Sequence, residues 1–224
     1  MNIRQPFRAN QFYPGNPFEC RAEAQQLLDA VTLDEVLPDK LVGGICPHAG
    51  WVYSGPLAAA TLKALATRAT APVIVLLGAD HTGLADGGAV WPHGAWATPL
   101  GELDIDEDLA DRVLAADAGF AANTAAHARE HSLEVLVPLI QVLWPGCKLL
   151  PIMIEPTPDA AQLGVTLGKV AAQRGDEILF IGSTDLTHHG GHFPAPGGRG
   201  LAGVSYTEDN DQRMIELMKS LSAD

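Results

Sequence analysis

Residues 72–78, PVIVLLG, decide the fold class of this chain. The run from Val73 to Leu77 is wholly aliphatic, and a proline and a glycine bound it. A short aliphatic run of this kind is typical of a strand that is buried on both faces of a sheet. We therefore expect a central strand here, with helices on both faces of its sheet.

Strand-like and helix-like segments alternate through the rest of the chain, which is the pattern of an α/β protein. Further strands are predicted at 41–46, 88–91, 149–154 and 177–182, and helices at 16–30, 54–67, 106–116, 132–143, 157–175 and 206–221. Residues 190–203 are rich in glycine and proline and predict a long loop. We expect a single α/β domain over residues 1–224, with a mostly parallel or mixed central sheet.

The charge balance excludes several classes of partner. The 224 residues include 14 Lys and Arg against 27 Asp and Glu, which gives a formal net charge of −13. No basic stripe interrupts this acidic excess. Such a surface repels phosphate groups, so we expect neither nucleic acid nor an anionic membrane as a partner.

No segment has the pattern of a membrane span or a secretory signal. The run from Val73 to Leu77 is far shorter than the roughly 20 apolar residues that a span needs. No apolar stretch follows Arg4 and Arg8, so we expect a cytoplasmic protein. The chain has 3 cysteines and no C-x-x-C pair, which argues against a disulfide framework or a structural zinc site.

Three histidines come shortly after predicted strands. His48 follows the first strand, and His81 follows the strand at 72–78. His188 follows the last predicted strand, close behind Asp185. Any one of these histidines could simply cap a turn. Because ligand crevices of open α/β sheets lie at the carboxyl ends of the strands, the coincidence of three favours a common site.

Histidines that converge in this way indicate metal or acid/base chemistry. Two neutral imidazoles with an anionic third ligand suit a non-haem Fe(II) centre, and zinc or copper could occupy the same nitrogens. His48 and His81 are the candidate metal ligands. His188 is the candidate catalytic acid/base, because an unperturbed imidazole titrates at a pKa of about 6.5. Asp185 is placed to orient it.

Three other residues are candidates for contact with a substrate. Trp51 and Tyr53 follow His48 and could form an aromatic wall, although aromatic residues next to a strand end are at least as often part of the core. His131 is expected on a loop at the rim of the crevice, and polar groups would hold this loop against the rim.

A competing motif overlaps that loop. Residues 127–131, HAREH, match the H-x-x-E-H pattern of inverted zinc metallopeptidases, in which a helix carries two zinc-binding histidines around a glutamate. Ser132 has the features of a helix N-cap, which would place His127 and His131 before the helix. This conflict argues against the peptidase hypothesis.

Five ordered blocks of the sequence together resemble the Memo family, the B component of the gene grouping named for AMMECR, Memo and radical-SAM proteins. The blocks are RQPFRANQFYP at 4–14, PHAGWVYSG at 47–55, LLGADHTG at 76–83, HAREHSLEVLVPLIQ at 127–141 and GSTDLTHHG at 182–190. The resemblance implies a fold similar to that of class III extradiol ring-cleaving dioxygenases, which bind Fe(II) with two histidines and a carboxylate. A radical-SAM protein is the partner that the gene grouping implies.

The resemblance also assigns roles to residues of the site. It implies that His48 and His81 bind the metal, Fe(II) or Cu, and that His188 is the acid/base. It further implies that a cysteine replaces the carboxylate ligand, on a family segment that we expect beyond residue 224. Asp80 or Asp185 could supply a carboxylate instead.

Two classes of function follow from these observations. The first is a metal-dependent redox protein, similar to a dioxygenase, that acts on a small molecule or a peptide and in which His188 and Asp185 move a proton. The second is a non-catalytic module that binds a peptide or a partner protein in the same crevice. The metal content of the protein distinguishes the two hypotheses.

Overall fold

The computed structural model of the protein describes residues 2–33, 37–116, 119–174, 178–189 and 200–220. Of the loop predicted at 190–203, residues 190–199 lie outside these ranges, as do the element ends predicted at 175, 177 and 221. The end of that loop prediction is wrong, because the last helix begins at Leu201 rather than at 206. The strands are β1 (Ile3–Arg4), β2 (Gly43–Cys46), β3 (Val73–Ala79), β4 (Gly88–Val90), β5 (Ala95–Thr98), β6 (Gly101–Asp104), β7 (Phe120–Ala122), β8 (Lys148–Ile154) and β9 (Ile178–Ser183). The helices are α1 (Pro17–Asp29), α2 (Trp51–Ala66), α3 (Glu107–Ala115), α4 (Ala125–Ala128), α5 (Val137–Leu143), α6 (Ala160–Ala172) and α7 (Leu201–Ser220), with a 3₁₀ turn at Glu134–Leu136.

A six-stranded mixed sheet forms the centre of the fold, in the order β2-β9-β3-β8-β4-β7. Strands β2, β9, β3 and β8 are parallel, and β4 runs antiparallel to β8. The aliphatic strand β3 pairs on both sides, with β9 and β8, so the prediction of a central strand is confirmed. The carboxyl ends of the four parallel strands therefore meet at one edge of the sheet.

Apolar side chains cover both faces of β3, as its sequence predicts. Ile74 and Leu76 belong to one buried layer, which includes residues of α1, α2 and α5. Val73 and Val75 belong to the opposite layer, with residues of α3 and α6. Successive residues of a strand point to opposite faces, so an unbroken aliphatic run is what a strand covered on both faces requires.

A second, three-stranded sheet has the order β1-β5-β6 and was not predicted. Strand β1 pairs with β5 over only two residues, and β5 forms an antiparallel hairpin with β6. Gly94 permits this arrangement, because it has a φ of +91° and a Cβ there would lie 1.9 Å from the Asn2 carbonyl oxygen. The small sheet fixes Arg4 next to Trp96.

The chain divides into two compact units, residues 1–184 and 185–224. The first contains both sheets and α1 to α6. In the second, the backbone N–H of Thr187 donates to Asp211 on α7, and the Asn210 amide donates to the Thr187 hydroxyl. Across the ranges that the structure describes, no helix is both long and apolar enough to cross a bilayer.

The segment around Ser132 differs from its prediction. The helix expected from Ser132 begins instead at Val137, after the 3₁₀ turn. The buried hydroxyl of Ser132 has no hydrogen-bond partner among the residues that the structure describes, so it does not cap a helix. The backbone N–H of Ser132 donates to the carboxylate of Glu130 instead. This contact keeps residues 129–133 in a loop, which packs against the end of β3.

Candidate metal centre

Three imidazole rings meet at the carboxyl edge of the larger sheet. His48 follows β2, His81 follows β3, and His131 comes from the loop that precedes the 3₁₀ turn. The ring centres of His48 and His81 are 5.2 Å apart, those of His81 and His131 are 5.2 Å apart, and those of His48 and His131 are 5.7 Å apart. His48 is buried, whereas 41% of the His81 side chain and 20% of the His131 side chain are exposed. The cluster therefore opens to solvent on one side.

The hydroxyl of Ser183, at the end of β9, fixes the ring of His48. It donates its single proton to the carbonyl oxygen of Ser132, at 2.7 Å. It therefore accepts from Nδ1 of His48, which lies 2.9 Å away. In the neutral ring Nδ1 then carries the proton, and Nε2 is the unprotonated nitrogen that a metal ion requires.

Glu130 performs the same task for His81. Its carboxylate accepts from the backbone N–H of His81 at 2.8 Å and lies 3.1 Å from Nδ1 of the same residue. The backbone N–H groups of His131 and Ser132 also donate to it, at 2.7 and 2.9 Å. Burial alone raises the pKa of Glu130, but these hydrogen bonds outweigh burial and hold that pKa well below its usual range. The group is an anion that accepts the Nδ1 proton of His81.

His131 shares this carboxylate. Its Nδ1 lies 3.4 Å from Oε1 of Glu130, and His81, Glu130 and His131 offer ligand atoms that all lie within 4.8 Å of one another. Both oxygens of Glu130 already accept hydrogen bonds from the chain. The geometry therefore suits Glu130 to orient the imidazoles through their Nδ1 atoms rather than to bind an ion itself.

The first residues of the chain hold this loop in place. Arg4 is buried, lies over the Trp96 ring, and donates to the carbonyl oxygens of His127 and Glu130. Its guanidinium also pairs with the carboxylate of Glu134 at 2.8 Å. Arg4 thus fixes the backbone on either side of the loop that carries Glu130 and His131.

Glu134 holds the rest of the N-terminal segment, residues 4–14, through hydrogen bonds. Its carboxylate accepts from the backbone N–H groups of Phe7 and Arg8 and from the hydroxyl of Tyr13, at 2.9, 2.7 and 2.7 Å. Burial, followed by the negative charge of Glu134, raises the pKa of Tyr13 far above its usual value. Two of the sequence blocks, 4–14 and 127–141, are therefore parts of one hydrogen-bonded unit.

His127 has a structural role. It is fully buried, its Nε2 lies 2.9 Å from the Ala89 carbonyl oxygen, and its ring packs edge-on against Trp91 and Trp96. Helix α4 ends at Ala128, so His131 does not continue it. The helix with two zinc-binding histidines that the peptidase hypothesis requires is not formed by these residues.

The aromatic residues proposed for substrate contact have different surroundings. Trp51 is buried, packs against Tyr13, and donates its indole N–H to the Val135 carbonyl oxygen, so it serves as a core residue. Tyr53 is 82% exposed on the first turn of α2, close in sequence to His48. A contact between Tyr53 and a substrate stays a prediction.

Asp80 shapes the turn that carries His81. One carboxylate oxygen accepts from the backbone N–H and the hydroxyl of Thr82, and the other accepts from the backbone N–H of Ala85. The carboxylate that meets the imidazoles is therefore that of Glu130. The sequence singled out Glu130 only as part of the peptidase motif, and its position directly before His131 was the signal for its role.

Asp185 and His188 belong to the second unit of the chain. Nε2 of His188 lies 3.5 Å from a carboxylate oxygen of Asp185, and half of the His188 side chain is exposed. The two side chains are thus neighbours, and the role of Asp185 in orienting a catalytic His188 stays a prediction. Their approach to His48 and His81 stays a prediction.

The sequence of this chain is similar to those of proteins of one known family. A family model described as "Memo-like protein" matches residues 4–224. A MEMO1 family protein of Methanopyrus kandleri is 34% identical over 97% of this chain and 76% of its own length. MEMO1 family proteins of Pyrococcus furiosus and Caldivirga maquilingensis are 36% and 35% identical, over 84% and 79% of this chain and 66% and 59% of their own lengths. The chain thus spans about three fifths to three quarters of these relatives.

Proposed function

Because the chain belongs to the Memo family, we propose that it is a metal-binding redox protein whose ion, Fe(II) or Cu, is held by His48 and His81. The observation that carries this proposal is the pair of imidazoles at the carboxyl edge of the sheet, 5.2 Å apart and each oriented through Nδ1. The small molecule or peptide on which it acts would reach the site from the exposed side of His81.

The chemistry of these donors fits such an ion. Imidazole nitrogen binds Fe, Cu and Zn well, and a metal-binding histidine usually donates its other N–H to a carboxylate or another acceptor. His81 has Glu130 as this acceptor, and His48 has Ser183. The buried negative charge of Glu130 also offsets part of the charge of a divalent ion.

The ion and the residues of the chain would have different roles in the reaction. When bound, iron or copper supplies one-electron chemistry. The residues of the chain do the rest: Glu130 and Ser183 orient the imidazoles, and the burial of His48 excludes water from one side. His188, oriented by Asp185, is proposed to hold and move the proton that accompanies the electron.

Metal uptake tests this proposal. The purified chain is loaded anaerobically with Fe(II), desalted and analysed for metal, and Cu(I) and Zn(II) are titrated against a chelator in parallel. We expect close to one ion per chain, and we expect His48→Ala and His81→Ala each to lower the affinity by about 100-fold or more. His93→Ala, at a histidine whose side chain is 53% exposed beside Glu107, is the matched control and should bind as the parent chain does.

Two outcomes would overturn the proposal. One is a parent chain that takes up no metal at saturating concentration. The other is uptake that the His48 and His81 substitutions leave unchanged. Either result would favour the alternative, a non-catalytic module that binds a peptide or a partner.

A further inference from the structure

We propose that Arg8 binds the carboxylate group of a small organic acid at the entrance of the candidate metal centre. This inference rests on the proposed function and deepens it, because it names the class of substrate that the same site takes. Arg8 belongs to the N-terminal segment and lies outside the cluster of imidazoles. A purely structural role, in which Arg8 only packs against aromatic rings, is the alternative that the test must exclude.

Arg8 is a partly buried cation without a carboxylate partner. The guanidinium of Arg4 pairs with Glu134, and that of Arg174 pairs with Asp106. Arg8, by contrast, forms no ion pair among the residues that the structure describes. The chain has 27 acidic residues against 14 basic ones, so a partly buried arginine without such a partner is unexpected. The positive charge of Arg8 is therefore available to a negatively charged group from outside the chain.

Two aromatic rings and one amide hold the guanidinium in place. Its central carbon lies 4.5 Å from the ring centre of Phe7 and 5.2 Å from that of Phe12. Nη1 donates to the side-chain oxygen of Gln11 at 2.9 Å, whereas Nε is buried and has no acceptor among the described residues. A guanidinium held in this way loses little side-chain freedom when a carboxylate binds, and donors without an acceptor gain one.

The ring of Phe12 connects Arg8 with the crevice. It packs edge-on against the imidazole of His131, with ring centres 5.0 Å apart, and His131 lies beside the exposed side of the cluster at His81. Phe12 is itself partly exposed, so the apolar part of a ligand can pack against its ring while the carboxylate meets Arg8. Because one aromatic ring separates the guanidinium from the imidazoles, the arrangement suits a small acid.

The charge of the chain favours a carboxylate over a phosphate as the group that Arg8 binds. A planar guanidinium can donate two parallel hydrogen bonds to the oxygens of either group. A phosphate monoester, however, carries nearly two negative charges at neutral pH, and a chain with a formal net charge of −13 repels it more strongly than a singly charged carboxylate. One arginine is also enough to neutralise one carboxylate. The ligand class is therefore a small monocarboxylic acid with an apolar body.

Benzoate is the probe that tests this inference, since it joins one carboxylate to one apolar ring. The isotope-labelled chain, freed of metal with a chelator so that benzoate cannot bind an ion, is titrated with benzoate and followed by NMR. We expect saturable shifts of the backbone N–H signals of residues 4–14. We expect Arg8→Gln to weaken the binding by about 10-fold or more. Arg8→Lys, which keeps the charge without the planar pair of donors, should have an intermediate affinity.

Two controls isolate the role of the guanidinium. Arg112→Gln removes an exposed arginine that pairs with Asp108 on α3, and it should leave the affinity for benzoate unchanged. Benzamide, which has the same ring and no charge, should bind the parent chain about 10-fold more weakly than benzoate, or not at all. Circular dichroism of each variant shows that it is folded.

The outcomes separate this inference from the proposed function. Equal benzoate affinity in the parent chain and Arg8→Gln, equal affinity for benzoate and benzamide, or no saturable binding of benzoate would overturn the role of Arg8. Phenyl phosphate that binds more tightly than benzoate would overturn the choice of a carboxylate. A chain that takes up no metal, but binds benzoate through Arg8, would overturn the proposed function and leave the carboxylate site in place.

Discussion

Ser183 connects two parts of the candidate metal centre, because its hydroxyl accepts from His48 and donates to the carbonyl oxygen of Ser132. The strand β9 thereby sets the orientation of a ring that belongs to the loop after β2. Ser132 has a hydroxyl of its own, which is buried and has no hydrogen-bond partner among the residues that the structure describes. The hydroxyl of Ser183 therefore contacts the imidazole of His48, whereas the hydroxyl of Ser132 takes no part in this set of hydrogen bonds.

Substitution of these two serines tests the orientation of His48. We expect Ser183→Ala to weaken metal binding by about 10-fold or more, because Nδ1 of His48 loses its acceptor. Ser132→Ala is the matched control and should leave the affinity within about 2-fold, since the backbone carbonyl of Ser132 remains. A chelator competition titration measures both variants, and equal losses in the two would contradict the assigned role of Ser183.

The position of His48 and His81 after parallel strands was sufficient to expect that they meet, because the ends of such strands share an edge. His131 was expected at the rim of the crevice, but the contribution of Glu130 to the site was not predictable in the same way. Their loop reaches the sheet edge through long-range contacts with Arg4 and Glu134, which no local pattern encodes. The sequence alone also does not show that Trp51 is buried in the core whereas Tyr53 is exposed.

The N-terminal segment and the loop before α5 form one structural unit through Arg4 and Glu134. Both side chains of this ion pair are 1% exposed. A buried charge that loses its partner is costly, so each residue depends on the other. The unit holds the carbonyl groups of His127 and Glu130, and its stability therefore bears on the metal centre as well.

Removal of Arg4 should destabilise the whole fold. We expect Arg4→Met to lower the free energy of unfolding by about 3 kcal/mol or more, because Glu134 stays buried and charged. Arg112→Met, which breaks an exposed pair with Asp108 on α3, is the control and should change it by less than about 1 kcal/mol. Urea unfolding followed by circular dichroism gives both values, and similar small changes in the two would contradict the importance of the buried pair.

The predictions from the sequence agreed better with the structure for long helices and strands than for short ones. The aliphatic run at 72–78 predicted the central strand, because a short aliphatic run bounded by proline and glycine is typical of a strand that is buried on both faces. Strand β1 has two residues and depends on pairing with β5, so its own sequence contains no signal. The helix expected from Ser132 begins later, because the backbone N–H groups there donate to Glu130.

At the scale of the whole molecule, His127 is a fully buried histidine that its surroundings keep neutral. Burial lowers the pKa of His127 to about 4 from its usual 6.5, although the hydrogen bond to Ala89 opposes this effect. The unfolded chain thus takes up a proton at a higher pH than the folded chain does. The stabilising effect of a neutral His127 is complete above pH 6.5 and is lost as the pH falls towards 4.

The pH dependence of the free energy of unfolding should show the contribution of His127. Between pH 7 and pH 4, His127 alone should lower the free energy of unfolding by roughly 3 kcal/mol. His127→Asn, although less stable at pH 7, should show a smaller loss over this range, whereas the control His93→Ala should keep the slope of the parent chain. Urea unfolding at a series of pH values measures these slopes. An unchanged slope in His127→Asn would show that His127 does not titrate as described.

The position of the metal ion is the most direct test of the proposed centre. Crystals of the iron-loaded chain, measured on both sides of the iron absorption edge, locate the ion by its anomalous scattering. We predict one strong peak about 2 Å from Nε2 of both His48 and His81. The absence of a peak there in crystals grown at saturating iron, or a peak held only by exposed histidines such as His93, would contradict it.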